Sequence, residues 1–259
     1  MKSSWLFTLL LFLLGMPILL QAEEITVAAA SDLSFVFREV VTRFERETGN
    51  TVKLSFGSSG NFYSQIENGA PYDLFFSADV DYPKKLEAAG LVEPGSLYSY
   101  AWGRLVLWAP SDSRVEVQQG LKCLLGSHVR KIAIANPAHA PYGRAAEAAL
   151  KREGLYEKVA GKLVLGENIS QTAHFVETGN ADAGLIALSL ALAPELKAKG
   201  KYDLVDPKLY PRIVQAAVII KSSRKKQTAQ RFLEFLKSPA ISALMKQYGF
   251  ESPGDAAER

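Results

Sequence analysis

Residues 25–60 read ITVAAASDLSFVFREVVTRFERETGNTVKLSFGSSG, and the order of signals in this stretch decides the fold class. Ile25 to Ala30 is a short apolar run with the length of a buried strand. Ser31 or Asp32 then caps a helix. Its apolar positions Leu33, Val36, Phe37, Val40, Val41 and Phe44 follow the helical period and form one buried face. Gly49 closes it in the left-handed conformation that glycine adopts without steric cost. Val52, Leu54 and Phe56 alternate as a second strand, and Gly57-Ser58-Ser59-Gly60 leads into a short helix through Ile66. Strand, helix, strand, helix is the rhythm of a mostly parallel sheet covered by helices.

The rhythm continues outward from this stretch. Asp73 to Phe76 reads as a strand, and Pro83 starts a helix ending at Gly90. Further strands are Arg104 to Trp108, Lys131 to Ala135, Leu163 to Leu165, Gly184 to Ala187 and Ala216 to Ile220. Helices span Tyr142 to Glu153, closed by Gly154, then Ser170 to Thr178, Gln227 to Leu236 and Pro239 to Tyr248. There is no sequence repeat, low-complexity tract or Pro/Gly-rich linker. About ten strands in 259 residues favour two α/β lobes over a single sheet, with the crossing strands themselves forming the hinge.

Upstream of Ile25 the chain reads differently. Lys2 precedes an apolar run from Trp5 to Leu20 that Thr8, Gly15 and Pro17 interrupt, and Gln21-Ala22 presents a small residue before Glu23-Glu24. This order is that of a secretory signal peptide over residues 1–22; a membrane span needs about 20 apolar residues and usually carries charged flanks. Cys123 is the single cysteine, so no internal disulfide is expected, nor a lipid anchor on an N-terminal Cys. An exported, unanchored chain is expected in the periplasm of a bacterium with an outer membrane, as a monomer.

Composition removes several function classes. Thirty Lys and Arg stand against 27 Asp and Glu, a net charge of +3, and the densest basic run, Arg224-Lys225-Lys226, reads as a solvated face. A nucleic-acid partner would need a basic stripe and a reading motif. His128, His139 and His174 lack the spacing of metal ligands, so no cation site is expected. No His or Lys is placed by sequence as a base for Ser31 or Ser59. No phosphate loop or dinucleotide fingerprint is present, so neither an enzyme nor a cofactor is expected.

Four short polar segments remain, each where a strand gives way to a helix: Ser31-Asp32, Ser58-Ser59-Gly60, Pro141-Tyr142-Gly143 and Asn168-Ile169-Ser170. Ligands of open α/β sheets bind at the carboxyl ends of strands. The helix N-termini that follow offer unpaired N–H groups and partial positive charge. Any one segment alone is an ordinary cap; four at equivalent places describe a neutral cage of donors for a compact oxyanion. Asp32, as an early helix residue, is expected to cap and point away from that cage.

Longer stretches carry a resemblance. Ala28-Ala29-Ala30-Ser31, Phe56 to Gly60, Asn68 to Asp79, Asn136-Pro137, Ala140 to Gly143 and Tyr248-Gly249-Phe250 together resemble the periplasmic molybdate-binding proteins of bacterial ABC importers. The similarity runs through nearly the whole chain after the signal. It implies a type II periplasmic binding protein fold: two lobes, each a mixed, mostly parallel sheet flanked by helices, with the ligand in the interlobe cleft. The expected division is 23–103 with 216–259 as lobe I and 104–215 as lobe II. The implied ligand is molybdate or tungstate, and the implied partner is a membrane permease.

Ser31 and Ser59 match positions that donate side-chain and backbone hydrogen bonds; Tyr142 and Ile169 match main-chain donors. Ala30, Ser58 and Ala187 are further candidates. Ala30 can give only its backbone, and Ala187 stands where some members place a tyrosine hydroxyl. A donor-only site suits fully ionised molybdate, tungstate or sulfate and disfavours phosphate, whose proton needs an acceptor. Sulfate and phosphate binding proteins are the alternative readings, with an enzyme on the same fold behind them.

Overall fold

A computed structural model describes residues 22–253. The segment read as a signal peptide lies outside them, apart from Ala22. The chain forms two five-stranded sheets. The first is ordered β2-β1-β3-β10-β4, from Thr51–Gly57, Glu24–Ala30, Leu74–Ser77, Ile213–Ile219 and Tyr98–Gly103. The second is ordered β7-β6-β8-β5-β9, from Leu163–Gly166, Ile132–Ala135, Ala183–Ala187, Leu105–Pro110 and Gly200–Leu204. In each sheet the first three strands pair parallel and the last two join antiparallel. The two sheets therefore repeat one topology, although the sequence carries no visible repeat.

The stretch that decided the fold class folds as its pattern requires, with one change. Helix Val36–Thr48 buries Val36, Phe37, Val40, Val41 and Phe44, and Gly49 closes it at φ 72°. Phe37 meets Phe76 edge-on at 4.9 Å, and Phe44 meets Phe232 at 5.0 Å, so sheet, helix and the C-terminal helix Lys226–Leu236 share one core. Burying each such side chain contributes roughly 1.5–3 kcal/mol. The change is at the helix start. Ser31–Leu33 form a separate single turn, and neither Ser31 nor Asp32 makes a side-chain cap. Both side chains are bonded elsewhere, as described below.

Other boundaries shift for identifiable reasons. The helix expected from Pro83 begins at Asp81, because the Asp79 carboxylate accepts the Tyr82 N–H at 3.1 Å and starts the turn earlier. The return strand starts at Ile213 rather than Ala216. Two strands went unread: Tyr98–Gly103 and Gly200–Leu204. The latter is an edge strand with Tyr202 and Leu204 exposed, so it lacks a buried alternation. These two strands sit at the crossings between sheets. Only Arg104 separates β4 from β5, and residues 205–212 lead from β9 to β10. No helix among the described residues is long and apolar enough to cross a membrane.

Candidate functional site

The parallel strands of both sheets end on a shared cleft. Ala30 and Gly57 close β1 and β2, and a small cavity of about 10 Å³ lies just beyond them. Its wall comprises Ala30, Ser31, Asp32, Gly57, Ser58, Ser59 and Ala78 from one side and Ala140, Pro141, Tyr142 and Ile169 from the other. Ser31, Ser59, Tyr142 and Ile169, far apart in sequence, are thus brought together, with Ala30 and Ser58 beside them. Ala187 is fully buried but is not part of this wall; it precedes the short helix Leu188–Ala191.

Helix geometry explains what these positions offer. Ser59 opens helix Ser59–Glu67, Tyr142 is the second residue of Pro141–Arg152, and Ile169 opens Ile169–Glu177. First-turn N–H groups have no partner inside their own helix. Pro141 occupies the one position where a missing N–H costs nothing, so Tyr142 supplies the first donor. The Ser59 hydroxyl accepts the Ala78 N–H at 2.9 Å, which fixes its oxygen and leaves its proton to be donated into the cavity. The Ser31 hydroxyl donates to Asn168 Oδ1 at 3.1 Å and accepts the Ser170 N–H at 3.2 Å. That Asn168 oxygen also caps helix Ile169–Glu177 through Gln171.

Several of these bonds cross between the lobes, so the structure is that of a closed cleft. Ser170 Oγ donates to the Ser31 carbonyl at 2.8 Å, Ser189 Oγ to the Asp32 carbonyl at 2.8 Å, and the Gly60 N–H to the His139 carbonyl at 2.9 Å. His139 adds side-chain contacts to this seam. Its Nδ1 meets Ser58 Oγ at 2.9 Å, and its Nε2 lies 3.6 Å from Glu167. Arg144 pairs with Asp79 and also reaches the Tyr82 hydroxyl at 3.3 Å. Its charge is therefore spent on the opposite lobe rather than on the cavity.

Sequence reasoning missed the polar group behind the cavity. Gln215, fully buried in the apolar strand Ile213–Ile219, donates to Asp32 Oδ2 at 2.5 Å and to the Tyr142 hydroxyl at 3.2 Å. It accepts from the Tyr100 hydroxyl at 2.7 Å. A lone Gln among Ile213, Val214, Ala216, Ala217 and Val218 was the available signal, since a buried amide needs partners. Asp32 is 1 % exposed, and instead of capping it lines the cavity. Burial, only partly offset by the Gln215 and Tyr142 hydrogen bonds, pushes its carboxyl up to about 7. Burial, reinforced by Asp32, likewise raises the Tyr100 and Tyr142 phenols well above their usual range. Gly103 makes this packing possible, because a Cβ there would stand 2.1 Å from the Tyr142 hydroxyl.

A roomier cavity of about 640 Å³ lies against the hinge strands. Its Arg104 pairs with Glu251, and its Arg212 stacks on Trp102 with 3.9 Å to the ring centroid. None of the four first-turn donors reaches it. Among the described residues no cluster of His, Cys, Asp and Glu could hold a metal ion.

Two lobes of repeated topology closing on a cavity of helix-terminal donors define a solute-binding protein, and over residues 25–251 the chain belongs to the family of bacterial extracellular solute-binding proteins. More particularly, it is 40% identical to molybdate-binding protein ModA of Azotobacter vinelandii, covering 89% of this chain and 90% of that one. It is 37% identical to the ModA of Rhodobacter capsulatus over 94% of each chain. Among solved structures, the periplasmic molybdate-binding protein of Azotobacter vinelandii superposes with a TM-score of 0.84 at 37% identity, covering 88% of this chain and 99% of that chain. The fold is that of the type II periplasmic binding proteins.

Proposed function

We propose that this protein captures molybdate or tungstate between its lobes in the bacterial periplasm and delivers it to the membrane permease of an ABC importer. The observation that carries the reading is the convergence, from both lobes, of the Ser31, Ser59, Tyr142 and Ile169 segments on one buried cavity. The N–H groups of these four residues and the Ser59 hydroxyl are the proposed ligands. Ala30 and Ser58 stand at the margin, and Ala187 is left out of the set. The proposed lobes are 23–103 with the chain from Ile213 onward, and the residues between. An anion bonded by both lobes at once favours the closed state. The relatives named above support molybdate over sulfate or phosphate, and their role as transport proteins supports a binding protein rather than an enzyme.

One observation favours an enzyme: Ser58, His139 and Glu167 form a chain reminiscent of a nucleophile, base and orienting acid, hydrogen-bonded from Ser58 to His139, with Glu167 3.6 Å from the far ring nitrogen. Two features oppose it. Ser58 is buried beside a cavity with no room for an organic substrate. The neighbouring Gly60 N–H, which would have to stabilise an oxyanion, is already bonded to His139. The chain works better as an interlobe latch.

Thermal unfolding of anion-free protein with molybdate, tungstate, sulfate and phosphate in turn tests the proposal. Ligand at 1,000 times its dissociation constant stabilises by about 4 kcal/mol, which raises the midpoint by about 10 °C in a chain of this size. A shift of that order with molybdate and tungstate alone is expected. A shift with phosphate alone, or with none of the four, would overturn it.

A further inference from the structure

Asp32 is the one carboxyl in the wall of the cavity, and no charge nearby balances it. Its Oδ2 is held by Gln215 at 2.5 Å, while Oδ1 is buried without a hydrogen-bond partner. The groups that face it are uncharged: Tyr142 from helix Pro141–Arg152, Tyr100 from β4, Gln215 from β10, and the Ser189 hydroxyl on its carbonyl. Tyr210 lies further out, beside Tyr142. The basic groups of the cleft are engaged elsewhere, Arg144 with Asp79, and the His139 ring with Ser58 and Glu167. Asp79 acts with Asp32 on the Tyr100 phenol, and burial raises its carboxyl also.

An ionised Asp32 conflicts with the proposed cargo. A dianion in this cavity would share a dry wall with a carboxylate that has no counter-ion, and a buried charge in that position neutralises rather than persists. A protonated Asp32 has no such conflict. The proton on Oδ1 gives that oxygen a donor in place of unsatisfied lone pairs, and the wall then carries no negative charge against the anion. Gln215 continues to donate to Oδ2 in either state. We therefore propose that capture of the oxyanion is coupled to uptake of one proton by Asp32, making this residue a pH-dependent determinant of affinity. In the closed cleft burial already pushes the carboxyl up to about 7 and the bound dianion raises it further, so affinity falls as pH rises above neutrality. This rests on the oxyanion reading of the site.

The test is calorimetric titration of the anion-free protein with sodium molybdate at pH 6.5, 7.5, 8.5 and 9, each in two buffers of different ionisation enthalpy. The expected result near pH 8.5 is uptake of close to one proton per anion, with Kd rising up to tenfold per pH unit above 7.5. In Asp32→Asn, an isosteric neutral replacement, no buffer-dependent heat and a flat Kd are expected. A wild-type Kd constant within twofold with no proton uptake would overturn the proposal while leaving the oxyanion site intact. So would an unchanged pH slope in Asp32→Asn. Absence of binding to molybdate and tungstate at every pH would overturn the site reading itself, and the coupling with it. The proton count on the wild-type protein stands even if the variant does not fold.

Discussion

Replacing Gly60 with alanine separates closure of the cleft from the ligands inside it. The added Cβ would stand 2.8 Å from the carbonyl oxygen and 2.8 Å from the Cβ of His139, across the cleft. It would also break the register of the 2.9 Å bond from the Gly60 N–H to that carbonyl. The Tyr82 hydroxyl, 2.6 Å away, is the end of a flexible side chain and can move; the backbone of His139 cannot without moving its lobe. Overpacking of this kind costs about 1–3 kcal/mol, here charged to the closed state alone. The predicted loss of molybdate affinity is therefore about 5- to 150-fold. Gly60 needs no positive φ and lies in the first turn of a helix, where alanine is the better helix former by up to about 1 kcal/mol. The anion-free protein should thus unfold at an unchanged or higher temperature while its ligand-induced stabilisation shrinks. Calorimetric Kd and thermal midpoints with and without molybdate measure both. A Kd within twofold of wild type would refute the claim that this contact limits closure. A drop of several degrees in the anion-free midpoint would place the clash inside one lobe instead.

Ser59→Ala removes a proposed ligand hydroxyl and also orphans the Ala78 N–H. Each loss costs about 1–3 kcal/mol, so both a lower anion-free midpoint and a Kd at least about tenfold weaker are expected, by thermal melt and calorimetry. Phe37→Ala empties a fully buried site between Phe76 and Phe232. It should cost about 3–5 kcal/mol and lower the midpoint by roughly 10 °C, with Kd at 20 °C little changed. Asp32 links stability to pH with the reverse of the usual carboxylate sign. Its folded value lies above its unfolded one, so between about pH 4 and 7 the folded state holds the extra proton and stability falls as pH rises. Asp32→Asn should therefore gain on wild type by up to about 1.4 kcal/mol per pH unit across that window and level off above it. Denaturant melts at pH 5 and 8 read the difference, and equal stabilities at both would contradict it.

Much of this protein is legible in local pattern. The helical spacing from Leu33 to Phe44, the alternation at Val52, Leu54 and Phe56, and Gly49 and Gly154 as helix stops each report on their own neighbourhood. The structure places positive φ at both glycines. Strand Gly200–Leu204 escaped because an edge strand half open to solvent carries no period that distinguishes it from a loop. The capping roles given to Ser31 and Asp32 failed for a different reason. Short-range propensity favours a cap there, but Asn168, Ser170, Ser189 and Gln215 offer partners that local sequence cannot see.

The sequence by itself determined the alternation of strands and helices, the strand-to-helix junctions that carry Ser31, Ser59, Tyr142 and Ile169, and through the resemblance the expected ligand. The first two follow from periodicities and turn chemistry within a dozen residues; the ligand follows from the resemblance alone. Only the tertiary structure decided that Ala187 stands outside the cavity wall, that His139 and Arg144 latch one lobe to the other, and that Asp32 is buried against Gln215, 183 positions away. Such contacts arise when two crossing strands fold one sheet over the other. The burial that shifts Asp32, and any role for its proton, belongs to the closed cleft and to no single segment of the chain.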